Sequence, residues 1–399
     1  MRRLLTIMAF IVALLLATAS IPARAQGTTQ AKLIVSALAG YGDTGAYLMG
    51  EWLPVRVTLA NPPGGPSRRV TVRVATGSAG QGTLGMYQQE VDLPAQSRKE
   101  VTLYTYSSEF THKFRVELYE GGTLLEYADT TADPYEPPAS MIVAVASSDA
   151  SLMNSLKGEQ LGHVVLPLAV RGYGYTGQLP VLSATIAHIA LAELPTLSQA
   201  LDSLGAIVID DADSSTLSTE QRESIEGWVA RGGLLLVTYR AGGADTLAGL
   251  DSLVPITVSS SRAVPSLASL ADLAASPLTT TGPIAIGNAT VKSDTVFSSS
   301  TRVLAMEDGV PVVAVRDVGQ GRVVYMGASP ALSQLKGWDG LPALEKRIFS
   351  EHALRVSYGA DLRVSSSNVP FGGYGSAVFQ TYGGMFELPG LELPNVWLV

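Results

Sequence analysis

Apolar and polar positions alternate in short runs along residues 31–132. Val55, Val57 and Leu59, for example, share one face of such a run. Because successive side chains of a strand point to opposite faces, this alternation is typical of strands that are buried on one side. About seven such runs are separated by turn sequences such as NPPGGPS, which predicts an antiparallel, immunoglobulin-like β-sandwich.

A different pattern begins after the linker DPYEPP at 133–138. The runs MIVAVAS, AIVID and LLLVTY are apolar at almost every position, and stretches with helical spacing precede the last two. Strands that are apolar throughout are buried on both faces, as in parallel sheets covered by helices. Residues 139–354 are therefore predicted to form a parallel-sheet α/β domain.

Two local signals are well defined in this second region. Ser218 and Gln221 have the spacing of a capping box, and the helix that they begin is predicted to bury Trp228 and to end at the Gly232–Gly233 pair. Further on, DG at 308–309 and GQG at 319–321 separate three apolar runs. Both sequences fit tight hairpin turns.

The N-terminal 25 residues have the features of a signal peptide. Arg2 and Arg3 precede the apolar run 4–19, and Ala23 and Ala25 form an A-x-A cleavage site. The alternative is an uncleaved membrane anchor, and either interpretation predicts export. Removal of residues 1–25 would change the formal net charge from −8 to about −11, because three arginines leave with them.

The C-terminal residues 355–399 are rich in Gly, Tyr and Ser and are predicted to be an extended connector. Hydrophobicity rises from Leu388 to Val399. We expect the natural reading frame to continue past Val399 into about 20 apolar residues that associate with the membrane. A short closing strand or a frayed tail is the alternative.

Composition excludes several kinds of function. The acidic net charge argues against a nucleic-acid partner, because phosphate binding needs a basic face. The chain has no cysteine, which excludes thiol catalysis and thiolate metal sites. The sequence contains neither an H-E-x-x-H zinc motif nor a Walker phosphate-binding loop, and no cofactor is predicted.

The candidate ligand-binding residues lie where two apolar runs end. Asp210, Asp211 and Asp213 follow AIVI, whereas Tyr239 and Arg240 follow LLLVT. In open parallel sheets, ligands bind at the carboxyl ends of the strands. The three carboxylates could hold Ca²⁺ or Mg²⁺ through oxygen ligands, or they could only solvate the loop. No residue is predicted to be catalytic or to be a dedicated metal ligand.

Tyrosines offer a second kind of binding chemistry. Tyr173 and Tyr175 lie in the glycine-rich loop RGYGYTGQ, and Tyr104 and Tyr106 lie on one strand. Aromatic rings stack on sugars, so glycan binding is one interpretation and ordinary packing in a sheet is the other.

A serine hydrolase is poorly supported by the sequence. Ser329 is the least implausible nucleophile and His352 the nominal base, but no G-x-S-x-G motif is present.

Residues 206–243 and the later run GRVVYMGASP resemble the class I glutamine amidotransferase-like fold, which has a flavodoxin-like sheet. The order of leader, immunoglobulin-like domain, amidotransferase-like domain and anchor resembles a group of bacterial envelope proteins, as does YLMGEWLPVRVTLAN at 47–61. The resemblance implies an immunoglobulin-like β-sandwich over 31–132, followed by a flavodoxin-like parallel-sheet domain over 139–354.

The same resemblance implies that catalysis has been lost. Amidotransferases place a cysteine in the turn after the strand that matches 234–239, where this chain has Tyr239 to Gly243. Ala328-Ser329-Pro330 stands where those enzymes carry His-Pro-Glu. We therefore expect a non-catalytic scaffolding or interaction protein at the outer face of the cytoplasmic membrane or the cell surface. Its expected partner is another envelope protein or a cell-surface glycan. The alternatives are a carbohydrate-binding protein and a metal-assisted hydrolase that uses the three aspartates.

Overall fold

The computed structural model describes residues 32–76, 85–107, 112–135, 140–163, 181–279, 282–364 and 379–383. The predicted signal peptide, the RGYGYTGQ loop with Tyr173 and Tyr175, and the end of the chain at Val399 lie outside these ranges. The predictions made for them stay predictions.

Strands dominate the described residues. In the first region they are β1 (Ile34–Ala39), β2 (Ala46–Leu48), β3 (Glu51–Ala60), β4 (Arg68–Thr76), β5 (Gly85–Leu93), β6 (Arg98–Ser107), β7 (Lys113–Glu120), β8 (Thr123–Thr131) and β9 (Asp133–Tyr135). In the second region they are β10 (Ser140–Ser147), β11 (Gln160–His163), β12 (Val181–His188), β13 (Ala206–Asp210), β14 (Leu234–Thr238), β15 (Ile256–Val264), β16 (Ile284–Val291), β17 (Thr301–Glu307), β18 (Val310–Val318), β19 (Gly321–Met326), β20 (Ala360–Val364) and β21 (Phe379–Gly383).

The helices are fewer and mostly short. They are α1 (Thr219–Arg231), α2 (Ala268–Ala274), α3 (Thr295–Ser300), α4 (Ser333–Lys336) and α5 (Leu341–Gly359). Single 3-10 turns occupy Asn154–Leu156, Leu191–Glu193, Ser198–Ser203 and Ser214–Thr216. No helix in the described ranges combines the length and apolar character needed to cross a membrane.

Two antiparallel sheets form the first region. One has the order β1-β3-β6 and the other the order β5-β4-β7-β8. The alternating side chains predicted from the sequence point inward, and Val55, Val57, Val72 and Val116 are fully buried between the sheets. Burying such side chains stabilises the fold by about 1.5–3 kcal/mol each.

An eight-stranded mixed sheet is the centre of the second region. Its order is β11-β12-β10-β13-β14-β19-β18-β17. The five strands from β12 to β19 in that order run parallel, whereas β11, β18 and β17 pair antiparallel with their neighbours. The continuous apolar runs of β10, β13 and β14 are buried, as the sequence predicted.

The predicted fold class, an immunoglobulin-like sandwich followed by a flavodoxin-like parallel-sheet domain, is wrong. The described chain is mostly β-sheet, its large sheet is mixed, and few helices cover it. After β10, the segment 149–156 forms no α-helix, and only Asn154–Leu156 form a 3-10 turn. The helical spacing of LPTLSQALDSLG likewise corresponds to a 3-10 turn at Ser198–Ser203.

Tertiary packing explains why residues 191–203 do not form a regular helix. This 191–203 segment lies against the outer face of the β1-β3-β6 sheet and joins the two regions through polar contacts. They are an ion pair of Arg56 with Glu193, and hydrogen bonds from Tyr41 Oη to Ala200 O (2.5 Å), from Ser203 Oγ to Trp52 O (2.9 Å) and from Thr196 N to Tyr104 Oη (2.9 Å). Tyr41 and Ala46 also belong to the core of the second region. The two regions are therefore packed together and not merely linked.

The predicted capping box and helix stop are confirmed. Ser218 Oγ accepts from Gln221 N at 3.2 Å, and Gln221 Oε1 accepts from Ser218 N at 3.0 Å. Trp228 is buried, and its Nε1 donates to Leu204 O at 3.2 Å. Gly233 must lack a side chain, because a Cβ there would come within 2.3 Å of the Trp228 ring.

The two predicted hairpins are also confirmed. They connect β17 to β18 and β18 to β19. Asp308 and Gly309 both have positive φ, at 47° and 79°, as a type I′ turn requires. These hairpins place the antiparallel strands β18 and β17 at one edge of the large sheet.

Candidate functional site

Three neighbouring strands end side by side in a polar cluster. In the parallel register Ser147 of β10 is opposite Asp210 of β13, and Thr238 ends the adjacent strand β14. Apart from Ser140 at the start of β10, each of these strands is apolar until its last residue, so the polar side chains meet at the carboxyl edge of the sheet. The sequence therefore places its candidate residues at the edge where ligands bind in open parallel sheets.

Asp210 is fully buried and points into this cluster. Its Oδ2 accepts from Ser147 Oγ at 3.0 Å, and its Oδ1 accepts from Thr238 Oγ1. A buried carboxylate needs such donors, because an unpaired charge in the protein interior is strongly destabilising. Asp210 thus ties three strand ends together, and it has no exposed surface to offer a ligand.

Asp211 turns the chain away from the sheet. Its backbone is left-handed, with φ of 48°, and its carboxylate accepts from Ser148 Oγ at 2.8 Å, Ala244 N at 2.9 Å and Arg240 Nη1 at 2.7 Å. Burial opposes ionisation, but these donors outweigh burial and lower the pKa of Asp211 from its usual value. Asp211 and Arg240, both predicted to bind a ligand, are therefore brought together as an ion pair.

Asp213 faces a different direction. Its Oδ1 accepts from Ser215 N at 3.0 Å and from Ser215 Oγ at 2.6 Å, which caps the 3-10 turn at Ser214–Thr216. Within the described ranges no three His, Cys, Asp or Glu side chains are grouped so that they could hold a metal ion. Asp210, Asp211 and Asp213 are close in sequence, but their carboxylates serve three separate hydrogen-bond sets.

Tyr239 packs against a second layer of the fold. Its backbone N–H donates to Met326 O at 2.9 Å, and a Cβ added to Gly287 would lie 3.1 Å from its ring. The fully buried Tyr325 hydroxyl reaches the same glycine and has no hydrogen-bond partner in the described part of the chain. Burial and then the neighbouring Tyr239 raise the pKa of Tyr325.

Sequence reasoning missed the donors of this cluster. Ser147 and Ser148 follow the apolar run of β10 in the same way that Asp210 and Asp211 follow the apolar run of β13. This shared position at the end of a strand could have identified the two serines from the sequence. Thr238 was hidden in the apolar run LLLVT. Tyr325 gave no signal, because a tyrosine inside a strand is ordinary sheet packing.

A second polar group lies beyond the ends of β10 and β12. Asp149 pairs with Lys336 at 2.6 Å, and the hydrogen bonds from Lys336 and then Ser151 lower the pKa of Asp149 to about 2. His188 Nε2 lies 3.3 Å from Asn154 Oδ1. These contacts connect loops of the carboxyl edge to one another.

Glu345 is a buried acid on α5 with one hydrogen-bond donor. It is 3% exposed, and it accepts from Ser155 Oγ of the Asn154–Leu156 turn. Burial is the main cause that raises the pKa of Glu345 to about 7, although the Ser155 hydrogen bond acts in the opposite direction.

Among the side chains that the structure describes, the other candidate residues do not form an assembled site. Ser329 is fully buried, and its Oγ accepts from Ala331 N at 3.1 Å. His352 lies on α5, beyond the side chains that the structure describes. The Tyr104 hydroxyl contacts Thr196, so it belongs to the contact between the two regions. A cavity of about 10 Å³ between α5 and β17–β19 has room for at most one water molecule.

Two family models match the chain. Residues 32–132 match a domain of unknown function (DUF8726), and residues 186–344 match another domain of unknown function (DUF7408). A comparison with curated proteins finds no match.

Three solved structures illustrate a distant similarity. The cytoplasmic protein STM1381 from Salmonella typhimurium LT2 is 14% identical, with a TM-score of 0.36 over 53% of this chain and 99% of that chain. The cytoplasmic protein STM3548 from Salmonella typhimurium is 13% identical, with a TM-score of 0.35 over 59% and 95%. The exo-beta-1,4-mannosidase Op5Man5 from Opitutaceae bacterium strain TAV5 is 15% identical, with a TM-score of 0.27 over 55% and 36%. Similarity at this level defines no function.

Proposed function

We propose that this chain is a non-catalytic interaction or scaffolding protein of the cell envelope. The proposal rests on the hydrogen bonds that the strand-end carboxylates already accept within the protein. Asp210 accepts from Ser147 and Thr238 at the ends of the two neighbouring strands, Asp213 accepts from Ser215 of its own turn, and Asp211 is held by Ser148, Ala244 and Arg240. Donors that already satisfy a carboxylate favour a structural role, because a ligand would have to replace them.

The packing of the two regions supports a scaffolding role. The 191–203 segment fixes the first region against the second through one ion pair and several hydrogen bonds, and Tyr41 is buried between them. A scaffold presents its surfaces in a constant relative orientation, and a packed contact between regions provides this. The proposed location rests on the signal-peptide pattern of residues 1–25.

Cross-linking in the native cells tests both parts of this proposal. Epitope-tagged protein is treated with a membrane-impermeant, amine-reactive cross-linker, and the tagged complexes are identified by mass spectrometry. We expect the protein in the envelope fraction and cross-linked to an envelope component. A cytosolic marker protein serves as the control for cell integrity. Recovery of the tagged protein in the cytosol, without reaction, would refute the proposal.

The competing function is a metal-assisted hydrolase that uses the strand-end aspartates. It predicts stoichiometric binding of Ca²⁺ or Mg²⁺ that is abolished by Asp211→Ala. Isothermal titration of the full chain with each ion measures this directly. Binding of that kind would replace the scaffolding proposal with the hydrolase.

A further inference from the structure

One face of the sheet β5-β4-β7-β8 takes no part in the described contacts between the two regions. Its inward side chains, among them Val72, Phe114 and Val116, fill the core of the first region. Side chains one position away in each strand point outward, because successive residues of a strand alternate between faces. Twelve of these positions in register form what we call the outer face. They are Met86, Ala75, Arg115 and Asp129 in the first row, Gln88, Arg73, Glu117 and Tyr127 in the second, and Glu90, Thr71, Tyr119 and Leu124 in the third.

Contacts between the rows order the side chains of the outer face. The Arg73 guanidinium lies 4.3 Å from the centre of the Tyr119 ring, and the Arg115 guanidinium lies 4.7 Å from that of Tyr127. Arg115 Nε also donates to Asp129 Oδ1 at 2.9 Å. Ordering these long side chains before a ligand binds lowers the entropic cost of binding.

The outer face combines exposed apolar and hydrogen-bonding groups. Tyr127 and Met86 are each 56% exposed and Leu124 is 46% exposed, at the two edge strands of the sheet. Arg73 and Glu117 lie on the two central strands and Gln88 on the edge strand β5; Arg73 Nη2 donates to Gln88 Oε1 at 3.4 Å, and Tyr119 Oη donates to Glu117 Oε2 at 2.9 Å. A ligand that fits this surface must present both apolar and hydroxyl-type polar groups.

The charge of the outer face argues against polyionic ligands. Charges are close to balance, with two arginines, Arg73 and Arg115, against three acids, Glu90, Glu117 and Asp129, which gives a formal charge of −1. A nucleic acid or an anionic lipid surface needs a clear excess of positive charge, which this face lacks. An uncharged ligand fits the balance better.

The size of the outer face argues against a stable protein partner. Strands about 4.8 Å apart and rows about 7 Å apart give a patch of roughly 300–500 Å² once the side-chain margins are included. A standard protein interface covers about 800 Å² on each partner. A polysaccharide strand needs a smaller footprint, and its sugars carry C–H faces as well as hydroxyl groups.

We propose that the outer face of the β5-β4-β7-β8 sheet binds an uncharged glycan strand, with Arg73 and Gln88 bonding to sugar hydroxyls and Tyr127 and Leu124 contacting sugar C–H groups. This inference rests on the proposed envelope function and names the partner class for one surface. It uses neither the strand-end aspartates nor the contact between the two regions.

Co-sedimentation of the purified full chain with insoluble peptidoglycan tests the inference. The test compares the natural protein with the double variant Arg73→Gln/Tyr127→Ala and with Arg262→Gln. Arg262 is the matched control, because it is a 42%-exposed, ion-paired arginine on β15, away from the outer face. Circular dichroism melting checks that all three proteins are folded.

We expect the natural protein and Arg262→Gln to bind with the same apparent Kd, and the double variant to bind at least tenfold more weakly. Chitohexaose, but not a free stem peptide, should compete, because the proposed ligand is the sugar strand. Absence of sedimentation, equal binding by all three proteins, or competition by the peptide alone would overturn the inference. None of these results would change the outcome of the cross-linking test, so the two proposals fail separately.

Discussion

Replacing Glu345 with Gln should make this protein more stable at alkaline pH and leave it almost unchanged in acid. The carboxyl group is 3% exposed and faces one hydrogen-bond donor, Ser155. Burial disfavours the charged form, and the pKa rises from 4.5 to about 7. Glutamine keeps an oxygen that can accept from Ser155 but can never ionise.

The sign and size of the effect follow from proton linkage. Below about pH 4.5 Glu345 is protonated in both the folded and the unfolded protein, so it contributes no pH dependence there. As the pH rises from about 4.5 to about 7, the unfolded chain loses the proton while the folded protein keeps it. The free energy of unfolding therefore falls over this window, by about 3 kcal/mol in total, since one pKa unit corresponds to about 1.4 kcal/mol.

Urea denaturation at pH 4, 6 and 8 measures the effect. We expect Glu345→Gln to match the natural protein within about 0.5 kcal/mol at pH 4 and to exceed it by about 2–3 kcal/mol at pH 8. Glu159→Gln is the control, because Glu159 is 48% exposed and pairs with Lys346. A difference between Glu345→Gln and the natural protein that stayed constant across the three pH values would refute the reasoning.

Three further predictions concern the fold. Ser218→Ala removes an N-cap and should lower the free energy of unfolding, measured by urea denaturation, by about 1 kcal/mol. An unchanged free energy of unfolding would exclude the capping role. Arg56→Ala removes the ion-pair partner of Glu193 at the contact between the regions, although Glu193 Oε2 still accepts from Ala190 N, and should lower the free energy of unfolding by about 2 kcal/mol. A loss of only about 0.5 kcal/mol, as for an exposed ion pair, would contradict a buried contact. Gly233→Ala places a Cβ against the Trp228 ring and should lower the melting temperature by several degrees, and a neutral result would mean that the ring can move freely.

The sequence predicted best where a local pattern decides the structure. Three features could be predicted because each depends on a few neighbouring residues. They are the capping box at Ser218, the turn at Asp308 and Gly309, and the buried strand at Leu234–Thr238. The same hairpin signals already indicated antiparallel strands in the second region. Combining them with the parallel runs would have predicted a mixed sheet.

The helices were over-predicted because tertiary packing overrides helical spacing. The 191–203 segment has apolar residues at helical intervals, but its backbone is held in 3-10 turns by contacts with Arg56, Trp52 and Tyr104 of the first region. Those partners are about 90 to 150 residues away in the chain, beyond the reach of a local pattern. The resemblance to a flavodoxin-like fold reinforced the error.

The candidate site was predicted in position but not in arrangement. Asp210 and Asp211 were located from the ends of apolar runs, and the structure does place them at the carboxyl edge of the sheet. Which way each carboxylate points could not be predicted, because it depends on the left-handed backbone at Asp211 and on the donors Ser147 and Thr238 from other strands.

The central claim is that these carboxylates hold strand ends together and are not ligands. Thermal unfolding of the full chain and of Asp211→Asn, each with and without millimolar Ca²⁺, Mg²⁺ or Mn²⁺, tests it most directly. We predict that Asp211→Asn melts several degrees lower than the natural protein and that no ion changes either melting temperature. A saturable rise in the melting temperature of the natural protein with one of the ions, absent in Asp211→Asn, would contradict the claim.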